Sequence, residues 1–119
     1  MARYTQNYVV TTNPSHVRDV VADILSTCSL VVSYITDDYV MAQEQSGKIN
    51  FSKLVTVEVL IHQPSLESNS IKLTCVTKNG ELPLRLGNHC QLMSELVDKA
   101  FCTSQAWQLL ESSPTPTLN

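Results

Sequence analysis

A chain of 119 residues fits one domain, and at this length roughly two-thirds of the unfolded surface can be buried, enough for one core without staples. Charged residues make up only 16%, against about 25% in an average domain, so the polar surface must come from 13 Ser, 11 Thr and the amides, and copies of the chain repel one another weakly. The net charge is −3 and the eight Lys and Arg are scattered with no two adjacent, which argues against nucleic acid or an anionic membrane as the main partner, since both draw on clustered cations.

Residues 2–12, ARYTQNYVVTT, alternate and are β-rich, with Tyr4, Gln6, Tyr8 and Val10 on one face; they read as a strand. NPSHVRDVVADILSTC, residues 13–28, is the clearest helix. Asn13 can cap it, Pro14 suits its first position, and Val17, Val20, Val21, Ile24, Leu25 and Cys28 form one apolar stripe. SLVVSYITDDYVMAQEQ, residues 29–45, reads as two strands about an Asp37-Asp38 turn. Leu30, Val32 and Tyr34 share a side of the first, and Tyr39, Met41 and Gln43 a side of the second.

After a connection at 46–52, KLVTVEVLIHQ, residues 53–63, is the strongest strand. Val55, Val57, Val59 and Ile61 make a core face and alternate with Leu54, Thr56, Glu58, Leu60 and His62. A polar loop over 64–70 precedes the strand 71–78, with Ile71, Leu73 and Cys75 inward. Asn79-Gly80 predicts a hairpin that returns ELPLRL, residues 81–86, alongside; Pro83 confines that return to an edge or a bulge. The last helix is expected from about His89 to Thr103, capped by Asn88, with a continuation toward Leu110. The domain then spans 1–111, and SSPTPTLN, residues 112–119, is a Ser/Pro/Thr tail expected to stay disordered.

The order β-α-β-β-β-β(β)-α predicts an α+β fold: an antiparallel sheet of five to six strands with two helices packed on one face. This order resembles the helix-over-sheet families, namely the TATA-binding-like fold, the helix-grip ligand-binding fold and the kinase-associated C-terminal domain. The resemblance is one of topology and spans most of the chain. The basic clusters that the first and third of these families use on their ligands are missing, so it implies a fold and carries no function.

The densest set of reactive side chains is HCQLMSELVDKAFC, residues 89–102. On a helix Cys90 and Cys102 stand roughly 18 Å apart and point about 120° apart, too far to share a metal or a disulfide. Cys90 falls within an apolar arc of Leu92, Met93, Leu96, Val97, Ala100 and Phe101, and is expected as a small buried hydrophobe; Cys102 falls on the opposite side with Glu95 and Lys99, and is expected as an exposed free thiol. His16, His62 and His89 have no local nucleophile or carboxylate signature, Asp37-Asp38 and Asp19/Asp23 read as solvated pairs, and Gly47, Gly80 and Gly87 are too dispersed for a phosphate loop. No catalytic residue, metal ligand or cofactor is therefore assigned.

Surface remains. With both helices on one face, the other carries Leu54, Thr56, Glu58, Leu60, His62, Lys72, Thr74, Val76 and Lys78. Of these Leu54, Thr56, Leu60, His62 and Val76, together with Trp107, are the candidate interface residues. The N-terminal strand is the expected open edge, and the edge near Pro83 the blunted one. The start MARYTQNYVV does not read as a secretory signal and no apolar run approaches a membrane span, so a cytoplasmic setting with reduced thiols is expected. The function expected is a small non-catalytic module acting through protein contacts, with a partner or with a second copy. The rival is a carrier holding a small apolar ligand between helix and sheet, lined by Tyr8, Tyr34, Met41 and Met93.

Overall fold

The computed structural model describes residues 1–45, 47, 53–62, 70–82 and 88–114. Its elements are β1 Ala2–Thr11, α1 Val17–Thr27, β2 Leu30–Ile35, β3 Tyr39–Glu44, β4 Thr56–His62, β5 Ser70–Asn79, α2 His89–Thr103 and β6 Gln108–Pro114. The six strands form one sheet in the order β2-β3-β4-β5-β1-β6, antiparallel throughout, so the chain is of the α+β class.

Strict alternation in β4 and β5 decides which face is inner. Val57, Val59 and Ile61 are buried, and the register sets them beside Thr77, Cys75 and Leu73. Tyr8 of β1 continues the Ile61–Leu73 row on one side, with Val10 beside Ile71, and Val40 and Ala42 of β3 continue the Val59 and Val57 rows on the other. Both helices cover this face: Val17, Val21, Ile24 and Leu25 of α1 and Cys90, Met93, Val97 and Phe101 of α2 join the same core cluster. Tyr8 stacks on Phe101 with ring centroids 5.0 Å apart, and Trp107 meets Phe101 edge-on at 5.5 Å.

Helix ends follow local chemistry. Asn88 caps α2 by accepting from the Gln91 N–H at 2.7 Å. Asn13 does not cap α1. It holds a preceding turn by accepting from Ser15 N–H and Ser15 Oγ–H, and the helix starts at Val17 without a side-chain cap. At the far end Ser29 takes φ 63°, a left-handed position usually filled by glycine, and the chain reverses there into β2.

Five further expectations change. β5 has β4 on one side and β1 on the other along its length, so the hairpin predicted from Asn79-Gly80 finds no free edge; residues 83–87 of the expected return lie outside the described residues. β1 is internal, not an edge, and the edges of the sheet are β2 and β6. The last helix stops at Thr103, and residues 108–114 form a strand on β1, so 112–114 belong to the sheet; 115–119 lie outside the described residues. A register shift between Val32 and Tyr34 breaks the alternation of β2 and sends Tyr34 to the outer face beside Met41.

The fifth change concerns α2. Its buried positions are Cys90, Met93, Ser94, Val97 and Phe101, while Leu92 and Leu96 are 55% and 47% exposed. The helix is turned away from its apolar arc because polar anchors fix it: Tyr8 O–H donates to Asp98 Oδ1 at 2.6 Å, and Asn88 Nδ2–H donates to the Tyr4 hydroxyl at 3.0 Å.

Candidate protein-contact face

The outer face is built from the side chains that alternate with the core. Cross-strand register lays them out in rows: Tyr34–Met41–Glu58–Val76–Thr5, Tyr39–Leu60–Thr74–Asn7, and Gln43–Thr56–Lys78–Arg3. The rows divide the face in two. Over β5 and β1 it is polar, with Thr74 Oγ1–H donating to Asn7 Oδ1 at 3.1 Å. Over β2, β3 and β4 it is apolar, with Tyr34, Tyr39, Met41 and Leu60 adjoining. Tyr34 and Leu60 are 55% and 47% exposed, and the rings of Tyr34 and Tyr39 meet edge-on at 5.9 Å. Val31 of the edge strand β2, opposite Gln43, is also exposed and extends this corner, whereas the exposed Ile35 is opposite the buried Val40 and lies on the inner side.

One ion pair borders the patch: Lys78 Nζ stands 2.5 Å from Glu58 Oε1, both partly shielded. Burial, then the charge of Glu58 and a hydrogen bond with it, pushes the Tyr39 hydroxyl above its ordinary pKa, so Tyr39 stays neutral. Exposed aromatic, Met and Leu side chains beside a sparse set of charges are the composition that protein interfaces favour.

Four of the six candidate interface residues, Thr56, Leu60, His62 and Val76, lie on this face. Leu60 and His62 are exposed, Thr56 is half-buried, and Val76 is buried between Glu58 and Thr5. Leu54 is half-buried ahead of β4 and outside the strand. Trp107 is not a docking anchor. It is buried, and its Nε1–H donates to the Phe101 carbonyl at 3.0 Å, closing the end of the core. Sequence reasoning did not bring Tyr34, Tyr39 and Met41 together with Leu60 on this face. The alternation of β3 was visible, but which face it presents depends on its pairing with β4, and the bulge in β2 had no sequence signal.

The reactive side chains go elsewhere. Cys102 is half-buried, not exposed. It packs on the core and donates to Asp98 Oδ1 at 3.7 Å, because α2 is rotated toward Ser94, Asp98 and Cys102. Burial, then the nearby Asp98 charge, pushes its thiol up, which makes it a poor nucleophile. Burial pushes Cys75 and Cys90 up to about 12.

His89 Nε2 stands 2.8 and 3.0 Å from the two oxygens of Glu44, a pairing across 45 positions that sequence alone does not disclose. Glu81, nearby, accepts from Cys90 N–H at 2.9 Å and from Asn79 Nδ2–H at 2.6 Å. This network fastens the start of α2 to the sheet. Among the described residues no group of three His, Cys, Asp or Glu could hold a metal ion. Nor do the expected carrier residues share a cavity: Tyr8 and Met93 are in the core, while Tyr34 and Met41 are on the opposite face of the sheet. No helix among the described residues is long and apolar enough to cross a membrane. No family model matches the chain, and no curated protein is similar to it.

Proposed function

We propose that the protein is a small non-catalytic cytoplasmic module that acts through protein contacts, docking by the apolar corner of its outer sheet face. The observation that carries this reading is the adjacency of Tyr34, Tyr39, Met41 and Leu60 on a face that neither helix covers. In water such a patch is a cost that a second protein surface removes, at about 25 cal/mol per Å² of apolar area buried. The face is nearly free of net charge where Glu58 and Lys78 pair, and the chain as a whole carries only −3, so a second copy meets little repulsion.

Solution mass by light scattering over a concentration series tests it. The expected result is a dimer that persists in reductant and that Leu60→Glu returns to monomer, because the new carboxylate would be desolvated beside Tyr39 in the interface. Self-association that survives Leu60→Glu would refute this face as the contact. A chain that stays monomeric at every concentration would refute the second copy as its partner and turn the search to other proteins.

A further inference from the structure

A second site lies on the helix side of the molecule, away from the sheet face. A cleft of about 340 Å³ lies between α1 and the end of α2, within the range that holds a small ligand. Its floor is apolar, formed by Val20 and Ile24 of α1 and Ala100 of α2, and Asp23, Thr27 and Thr103 line its rim. Val20 and Ala100 are only partly buried although both pack on the core, so the cleft leaves apolar surface in water.

The polar groups around that floor are mostly acceptors; the exception is Ser104, whose Oγ accepts from the Ala106 N–H at 3.2 Å and keeps a hydrogen to donate. Thr27 Oγ1–H donates to the Ile24 carbonyl at 2.6 Å and Thr103 Oγ1–H to the Lys99 carbonyl at 2.8 Å, so both hydroxyls have spent their hydrogens and offer lone pairs outward. Thr27 and Thr103 are the last residues of α1 and α2, and neither helix has a basic residue in its last turn to offset the negative end of its dipole. Among the described residues that line the cleft, Asp23 alone is charged, and it is exposed with no ion pair.

We propose that this cleft binds a small aliphatic ammonium ligand, its chain on the Val20–Ile24–Ala100 floor and its cationic head against Asp23 and the acceptor oxygens of Thr27 and Thr103. An anion of the same shape is disfavoured, because it would face a carboxylate and two helix C-termini with only the neutral Ser104 hydroxyl to answer it. The site does not depend on the sheet-face reading, since no lining residue belongs to the sheet.

The test is a titration of the full-length chain with octylammonium chloride, followed by amide shifts, with sodium octanoate as the matched anion. The expected result is binding with Kd on the order of 1 mM, shifts centred on residues 20–27 and 100–104, and octanoate weaker by about fivefold. Asp23→Asn, a surface change that leaves the core intact, should remove most of that difference, and Ala100→Leu should block both probes by filling the floor. Equal binding of octylammonium and octanoate, shifts that fall on the outer sheet face, or no shift at all would each overturn the proposal.

Discussion

Ser29 illustrates how much one residue decides. Its φ of 63° is costly for a residue with a β-carbon, which glycine lacks, and it allows the reversal from α1 into β2 across only two residues, Cys28 and Ser29. Ser29→Gly is therefore expected to stabilise the fold by about 0.5–1 kcal/mol, and Ser29→Val to destabilise it by more than that, because a β-branched side chain tolerates this region worst. Urea midpoints of the two variants against the parent check the sign; a loss with glycine would mean that the serine side chain is wanted for itself. At the same scale, burial sets the chemistry of the thiols. Cys28, Cys75 and Cys90 are buried and Cys102 is half-buried against Asp98, and burial raises every one of their pKa values. The exposed thiol expected from the helical wheel is lost because Tyr8 reaches Asp98 and turns that side of α2 inward.

Among the elements, α2 is tied at its first turn by polar contacts as well as along its length by the core. Asn88→Ala removes the cap to Gln91 and the bond to Tyr4 together, and is expected to cost about 1–2 kcal/mol. Chemical denaturation checks it; a change below the usual effect of a surface substitution would show that water replaces both contacts. Glu81 adds a dependence on pH. Desolvation pushes its carboxyl up, but hydrogen bonds from Asn79 and from the backbone N–H groups of Cys90 and His89, with the His89 charge, outweigh it and hold the pKa below the ordinary glutamate value. A carboxyl with a lowered pKa in the folded state contributes stability that is complete above the unfolded value and is lost as pH falls through the folded one. Urea midpoints measured from about pH 7 to about pH 3 should therefore decline more gently in Glu81→Gln than in the parent, and parallel curves would contradict this role. The cap of α2 was legible because Asn88 stands directly before a long helical pattern. The start of α1 was not, because Asn13 and Pro14 serve a separate turn three residues ahead of it. The Glu44–His89 pair was illegible for a different reason: it joins β3 to α2, and only the fold makes them neighbours.

For the whole molecule, composition and alternation were enough for class and core: Val55, Val57, Val59, Ile61, Ile71, Leu73 and the α1 stripe except the half-buried Val20 are buried as their spacing requires. Strand order was beyond their reach, because β1 is alternating and β-rich whether it sits at an edge or inside. The deciding partner, β6, is written in residues typical of a tail, QLLESSP, with exposed side chains and no alternation to betray a strand. It forms because Trp107, locked against Phe101 and its carbonyl, delivers the chain to the free side of β1, where backbone hydrogen bonds need no particular side chain. That account makes a sharp prediction. A chain ended at Trp107 keeps the aromatic plug but strips β1 of its partner from Gln6 to Thr11 and exposes a long edge bearing Val9 and Val10. Compared with a chain ended at Pro114, it should unfold at lower urea by a few kcal/mol (roughly 1 kcal/mol for each backbone hydrogen bond lost) and should associate in a way that Leu60→Glu does not prevent. The bared edge of β1 would then drive one association and the outer sheet face the other. If the shorter chain stayed monomeric and equally stable, β6 would be dispensable, and the stability of the sheet would rest on its five other strands and the helices above them.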